Sequence, residues 1–575
     1  KQAVAVLDPL VEKGGDDATL LALIGTAEVQ SGDLVSGRKY LGQAVALDPN
    51  DARTRAQLGL TRIALGEQEQ GIRDLEQAIE IDPKYDRTEA ALVFNYLRAG
   101  KYDKAIEAAK KLQERLPETA WTYTLAGIAY LGKRDTAQAQ SSFSRALEIK
   151  PGDPDASNNL AAIALRSGRD DEARGYLEAV LEHDPSHLRT LLRLAALEAK
   201  AGRSRRTLDL LEQAVKAHPG DRKARVLLGR AYLVLGDYVN AMSTVQEALA
   251  RNRRDPDLLM IVARAQLMAQ RPVDALATLR VLTDARPNAI EPYILLSGAY
   301  EAMKNWDGMR NALEKVLEID PGHYPSKVSL ARLDIREHHA EAARARLDDL
   351  KKDFADRLEV IELEGRLALL EGRPREAITY YRNVYEKRPA SGLALGLAVA
   401  EWQAGDREAG IATLTDWLKR APDDLAVRLQ LSAYYLTLDR LADARSNLAT
   451  IVEKAPDNVS AQNDLAWVLL RLDEKEAALT HARRARALAP DNPAVMDTLG
   501  LVLLETGEAA GALRLLDQAA ERLPANRDIG YHWARALSAT GQEAEARGVL
   551  RKILSDDAAF SERAGAEALL EKLGG

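Results

Sequence analysis

The sequence predicts an all-α fold, a solenoid of stacked helix pairs, and three observations carry that prediction. One pattern of small and large apolar residues recurs along the chain at a spacing of about 34 residues. Prolines and glycines mark the same spacing independently. Apolar residues make up 46% of the 575 but aromatics only 5%, so Ala and Leu carry the buried faces, which suits short close-packed helices rather than a sheet.

The pattern is clearest from Trp121 to Pro151. Leu125, Ile128 and Leu131 recur at helical spacing, as do Ala139, Phe143 and Ala146, so two amphipathic helices face each other across the polar break Lys133 to Asp135. Gly127 and Ala139 let the two backbones approach, and Phe143 fills the remaining space. Pro151 stops the second helix and aims the next unit. This pattern resembles the tetratricopeptide repeat, a helix-turn-helix unit of about 34 residues. The resemblance implies a right-handed superhelical solenoid of about 16 repeats.

Stepping from Pro151 places the helix-ending slot at Pro49, Pro83, Pro117, Pro185, Pro219, Pro287 and Pro321. After Pro389 one residue is missing, and the slot resumes at Pro422, Pro456, Pro490 and Pro524. Glycines such as Gly32, Gly66, Gly100, Gly168, Gly202, Gly372 and Gly507 mark the turn inside each pair. Residues 1–15 fit only the second helix of an incomplete repeat, 16–558 a continuous array, and 559–575 a C-terminal capping helix. In that cap Ala566, Leu569 and Leu570 face inward, opposite Glu562, Glu567 and Glu571. Three units depart from the pattern: His338 and His339 occupy one turn, KNWDG (304–308) replaces another, and the unit around Ala404 to Gly410 is one residue short. None of them reads as a domain boundary.

A formal charge of −8 with no long basic run makes nucleic acid an unlikely partner. No stretch approaches 18 uninterrupted apolar residues. The absence of cysteine excludes disulfides and thiolate chemistry. Eight histidines are scattered without metal-ligand spacing and read as surface turn residues, and no phosphate loop or nucleophile motif occurs. We expect no catalytic residue, no metal and no cofactor.

The expected working surface is the face presented by the first helix of each unit. The residue after the Gly127 slot becomes Arg230, Arg264, Gly298, Arg332 and Arg366 in successive units, with Arg535 near the end. Such a ladder would grip an anionic ligand, a peptide carboxylate or an acidic polysaccharide, through bidentate guanidinium contacts. Its alternative is pairing with acids of the adjacent repeat, such as Glu301 or Glu362, that only stiffens the stack. Trp467 occupies the same slot beside Asn463 and Asp464, where an indole either stacks on a sugar or peptide side chain or packs between repeats. Tyr380, Tyr381 and Tyr385 are expected to pack between helices.

The run from Ala390 to the end, with NDLAW (463–467), DNPAVMDTLG (491–500) and the closing DDAAFSERAGAEALLEKL, resembles the TPR-repeat lipoproteins of PEP-CTERM/exosortase systems, the PrsT-like group. That resemblance implies a non-catalytic scaffold for proteins of an envelope exopolysaccharide biosynthesis, export and surface-protein sorting complex. It also implies a periplasmic protein, held to the membrane only by an N-terminal lipid anchor outside this sequence. The alternative is a cytoplasmic adaptor or co-chaperone that binds peptide tails.

Overall fold

The computed structural model describes residues 17–82 and 86–574. Among the described residues there are 33 α-helices and no strand. In chain order they alternate as first and second helices of repeating units, and one solitary helix follows. The first helices of successive pairs begin at Ala18, Ala52, Asp86, Ala120, Pro154 and so on, in steps that hold the 34-residue period. The expected helix in residues 1–15 and the slot at Pro83 lie outside the described residues.

The missing residue follows Pro389, as the proline spacing expects, and does not lie in the stretch Ala404 to Gly410. The turn 404–406 has the usual length, and the shortening falls in the loop 388–390 ahead of that pair, between helices Pro374–Lys387 and Ser391–Gln403. A loop between pairs absorbs a deletion because no helical hydrogen bond spans it.

Capping explains where the helices start. Asp51, Asp153, Asp221, Asp255, Asp424 and Asn458 each accept backbone N–H bonds from the first turn, which satisfies donors the helix cannot reach. The turn inside each pair requires one left-handed residue. Glycine supplies it at Gly202 and Gly372, for example, but Arg134, Gln270, Lys304, His338, Asp439 and Asp473 adopt φ of 55–67° at the equivalent place. The backbone conformation is therefore imposed by the pair, and glycine only makes it cheaper.

Side-chain volume then sets how closely the helices meet. Phe143 is fully buried against the backbone of Gly127. Tyr381 fills space left by Gly365 and Gly396 on the first helices either side of it, so the expected packing role for this tyrosine is what the structure shows. A second kind of joint is polar. The carboxylate of Asp334, fully buried, accepts from Arg310 at 2.5 Å and from Arg346 at 2.8 Å, which reach it from the second helices before and after. Glu198 is gripped likewise by Arg174 at 2.7 Å and Arg203 at 3.0 Å. These joints sit where Tyr130 sits in its own unit, and sequence reasoning missed them.

The chain divides into two compact units, Lys1–Asn305 and Trp306–Gly575. The division falls inside KNWDG, a segment that did not read as a boundary. At the C-terminus the solitary helix Arg563–Lys572 buries Ala566 and half-buries Leu569 and Leu570 against Tyr531, Leu550 and Ile553, while Glu562, Glu567 and Glu571 stay exposed.

Candidate interaction groove

Three consecutive first helices, Arg222–Val234, Pro256–Met268 and Ile290–Ala302, line a cleft of about 700 Å³. Its walls are apolar, from Leu233, Val234, Met260, Leu267, Met268 and Leu295, with Arg230, Arg264 and Glu291 as its charged groups. Arg230 and Val234 share a helix face because they are four residues apart, and Arg264 and Met268 repeat that pairing one unit on. Elsewhere the position of Val234 and Met268 carries Arg166, Lys200 or Arg336. The slot is charged only in some units and carries Gly132, Ala302, Leu370 or Thr437 in others, so the legible signal was two large apolar side chains in successive units, which the arginine pattern overshadowed.

The charges in the groove are unevenly matched. Asp257 accepts hydrogen bonds from Arg222 and, at 3.3 Å, from Arg286, and the Arg222 contact first of all holds its carboxyl below the usual range. Arg230 reaches the same carboxylate only at 3.7 Å and is 56% exposed. One carboxylate thus serves three guanidiniums, which leaves Arg230 with unspent hydrogen-bonding capacity. Arg264 pairs with Glu291 of the next first helix, both about half exposed. An ion pair so wet is weak, and an incoming carboxylate displaces it at small cost.

The structure brings Arg230 and Arg264 into one cleft. Arg332 and Arg366 belong to the second compact unit. There Arg332 is exposed and makes no ion pair among the described residues, while Arg366 bonds Glu362 one turn back on its own helix at 2.7 Å. Trp467 is half-buried with the guanidinium of Arg471 5.0 Å from its ring centre, and it lines a second cleft of about 520 Å³ with Asp497, Glu505, His532 and Arg535. Asn463 is not in that lining. Its Nδ2 lies 3.4 Å from Asp464 Oδ1, and burial pushes the Asp464 carboxyl above its usual range. The expectation of surface histidines fails at His532, which is buried in a helix with Nδ1 2.8 Å from Asp497, and at His481, half-buried against Gln462. Both sit on helix faces that pack against a neighbouring helix, so position within the unit overrides residue type.

No described helix is long and apolar enough to cross a membrane. Among the described residues no group of three or more His, Cys, Asp or Glu converges as a metal site.

Comparison with known proteins agrees with this architecture. Tetratricopeptide-repeat models match residues 235–297, 368–433 and 503–572, and a further one matches 429–493. The model for the C-terminal domain of cilia and flagella-associated protein 70 matches 59–257. No curated relative matches the sequence. Among solved structures, the APC/C hetero-tetramer Cut9-Hcn1 aligns over 87% of this chain and 99% of its own at 13% identity and a TM-score of 0.34. A tetratricopeptide repeat protein from Parabacteroides merdae aligns over 42% of this chain and 97% of its own, at 13% identity and 0.34. The C-terminal part of a TPR repeat-containing protein from Cytophaga hutchinsonii aligns over 41% and 96%, at 17% identity and 0.35. Likenesses at these scores bear on no function. The helix pairs, their period and the matching repeat models make the chain an all-α tetratricopeptide-repeat solenoid.

Proposed function

We propose that this protein is a non-catalytic scaffold whose groove between residues 222 and 302 holds an apolar segment of a partner protein, with an acidic group of that segment on Arg230 and Arg264. One observation carries the reading. Among the large hydrophobic side chains exposed in the described residues, Val234 at 82% and Met268 at 40% stand in the lining of this groove. Exposed apolar side chains set side by side in a cleft mark an interaction site. Methionines at Met260 and Met268 adapt to the shape of what they meet. The partner's carboxylate would replace Glu291 on Arg264 and add the hydrogen bonds Arg230 lacks.

The finer assignment rests on the resemblance of the run from Ala390 to the end to PEP-CTERM system repeat lipoproteins. On that reading the protein is periplasmic and lipid-anchored in its full-length form, and the partners belong to an exopolysaccharide export and surface-protein sorting complex. Site-specific photocrosslinking from Met268, in cells expressing the full-length protein, tests both levels. The expected result is one dominant envelope-protein adduct, lost in Val234→Asp and absent when the crosslinker sits at Lys200. Equal labelling from Lys200 defeats the groove assignment, and a cytoplasmic adduct lost in Val234→Asp keeps the groove but replaces the export reading with a cytoplasmic adaptor.

A further inference from the structure

The cleft at Trp467, in the unit Trp306–Gly575, is built like the groove at Arg230 but carries the opposite charge. Three consecutive first helices again line it, Val459–Arg471, Pro493–Glu505 and Arg527–Ala539. Trp467 and Leu501 are the ninth residues of their helices, the place that Arg230 and Arg264 hold in the first groove. Where that groove carries two arginines and one acid, this lining carries five carboxylates, Asp473, Asp497, Glu505, Asp528 and Glu562, against three fixed cations.

Pairing leaves the excess on one side. Each cation already has its acid: Arg471 bonds Asp439 at 3.1 Å and lies over the Trp467 ring, Lys475 meets Asp473 at 3.4 Å, and Arg535 bonds Glu505. The arginines next in sequence to the free acids point to other partners, Arg527 to Asp556 at 2.6 Å and Arg563 to Glu567 at 2.9 Å. Asp528 and Glu562 make no ion pair among the described residues. Oδ1 of Asp528 accepts the backbone N–H of Glu562 at 3.0 Å, which holds the two acids together at the cleft and leaves the second oxygen of Asp528 unbonded there.

His532 points the same way. Only 8% of the residue is exposed, and Nδ1 lies 2.8 Å from Oδ1 of Asp497 on the preceding first helix. A carboxylate only accepts, so Nδ1 carries the ring proton and Nε2 of the neutral ring is an acceptor. Nε2 has no hydrogen-bond partner among the described residues and is not shut off from solvent, so the ring, which lines the cleft, presents a free lone pair there. A nearly buried acceptor of this kind calls for a donor.

Every unspent group thus accepts. An anionic ligand meets like charge and no free donor, and a neutral amide answers the lone pair but not the charge. A long basic side chain answers both, with its N–H groups toward the acceptors and its alkyl stem along Trp467 and Leu501. We infer that this cleft receives an arginine or lysine side chain of a partner protein, its charged head among His532, Asp528 and Glu562. The site lies in a different compact unit from the groove at Arg230 and Arg264 and stands whether or not that groove binds.

The test is a titration of the full chain carrying [¹³Cε1]histidine, whose spectrum holds eight histidine signals. The His532 signal is the one lost in His532→Gln. The probes are the capped tripeptides acetyl-Gly-Arg-Gly-amide, acetyl-Gly-Lys-Gly-amide, acetyl-Gly-Gln-Gly-amide and acetyl-Gly-Glu-Gly-amide, added at one fixed, mildly alkaline pH and constant ionic strength. A basic probe should shift the His532 signal saturably at millimolar concentration. Asp528→Asn combined with Glu562→Gln, which keeps the shape of both side chains and the oxygen that holds the Glu562 amide, should weaken that response severalfold. No saturable shift from either basic probe, an equal shift from the glutamine or glutamate probe, or an undiminished response in the double variant overturns the proposal.

Discussion

A Cβ placed on Gly127 would lie 2.5 Å from Cε1 of Phe143, well inside contact distance, so the two residues are fitted to each other. Gly127→Val should lower stability by about 1–3 kcal/mol through overpacking. Thermal unfolding followed by circular dichroism measures it, and adding Phe143→Leu to Gly127→Ala should restore part of the loss that Gly127→Ala alone incurs.

Gln270 holds φ of 56° in a turn where ten other units place glycine. Left-handed backbone costs an L-residue roughly 1–2 kcal/mol, partly offset by the greater unfolded entropy of glycine. Gln270→Gly should therefore raise stability by several tenths to about 1 kcal/mol. Gly202→Ala should lower it comparably, because nothing lies within 4 Å of a Cβ there and only the backbone penalty remains.

Asp334 is the buried anchor of two arginines. Asp334→Ala leaves Arg310 and Arg346 without their shared acceptor and should cost about 3–5 kcal/mol, the range for removing one partner of a buried ion pair. Arg230→Ala, a groove change of the same kind at the surface, should leave the melting temperature nearly unchanged.

Two aspartates should respond to acid in opposite senses. Hydrogen bonding from Arg222 holds the Asp255 carboxyl below the usual range of an aspartate, so its contribution is present above that range and is lost as pH falls through the lower folded value. The advantage of wild type over Asp255→Asn should shrink in that acid range. Asp464 is raised above 3.8 by burial, so its ionisation opposes folding at neutral pH and the penalty fades as pH drops through the folded value toward the unfolded one. Asp464→Asn should be more stable than wild type at pH 7, with the gap closing below about pH 4. Melting temperatures across pH 3–7 read both.

Arg264→Ala and Arg332→Ala separate binding from stiffening. Arg264 loses only a solvent-exposed pair with Glu291, and Arg332 has no ion pair to lose among the described residues. Each should change stability by less than about 1 kcal/mol. On the proposed function, Arg264→Ala weakens crosslinking from Met268 while Arg332→Ala does not. A large fall in melting temperature for Arg264→Ala with crosslinking intact would return these arginines to a purely structural role.

The repeat was legible because its determinants are local. The proline after most second helices, the glycine in ten of the turns and the 34-residue spacing of Gly127-like positions depend on neighbours within one or two turns. The same reasoning located the solitary helix around Ala566 and the packing of Tyr381. It placed the missing residue after Pro389, in the loop 388–390 that is short, and only its assignment to the stretch Ala404 to Gly410 fails, because a deletion in a loop and one in a turn shift the downstream pattern identically.

The sequence by itself determined that helices would pair, where each would stop, and which face each would bury, since helical periodicity and backbone restriction act over a few residues. Only the tertiary structure decided which charges meet. Arg174 and Arg310 were chosen over the groove arginines to lock the stack onto buried acids, and Asp257 was shared among three guanidiniums. Those outcomes depend on side chains some 20 to 35 residues apart reaching one point, a distance relation that stacking creates and linear order does not contain.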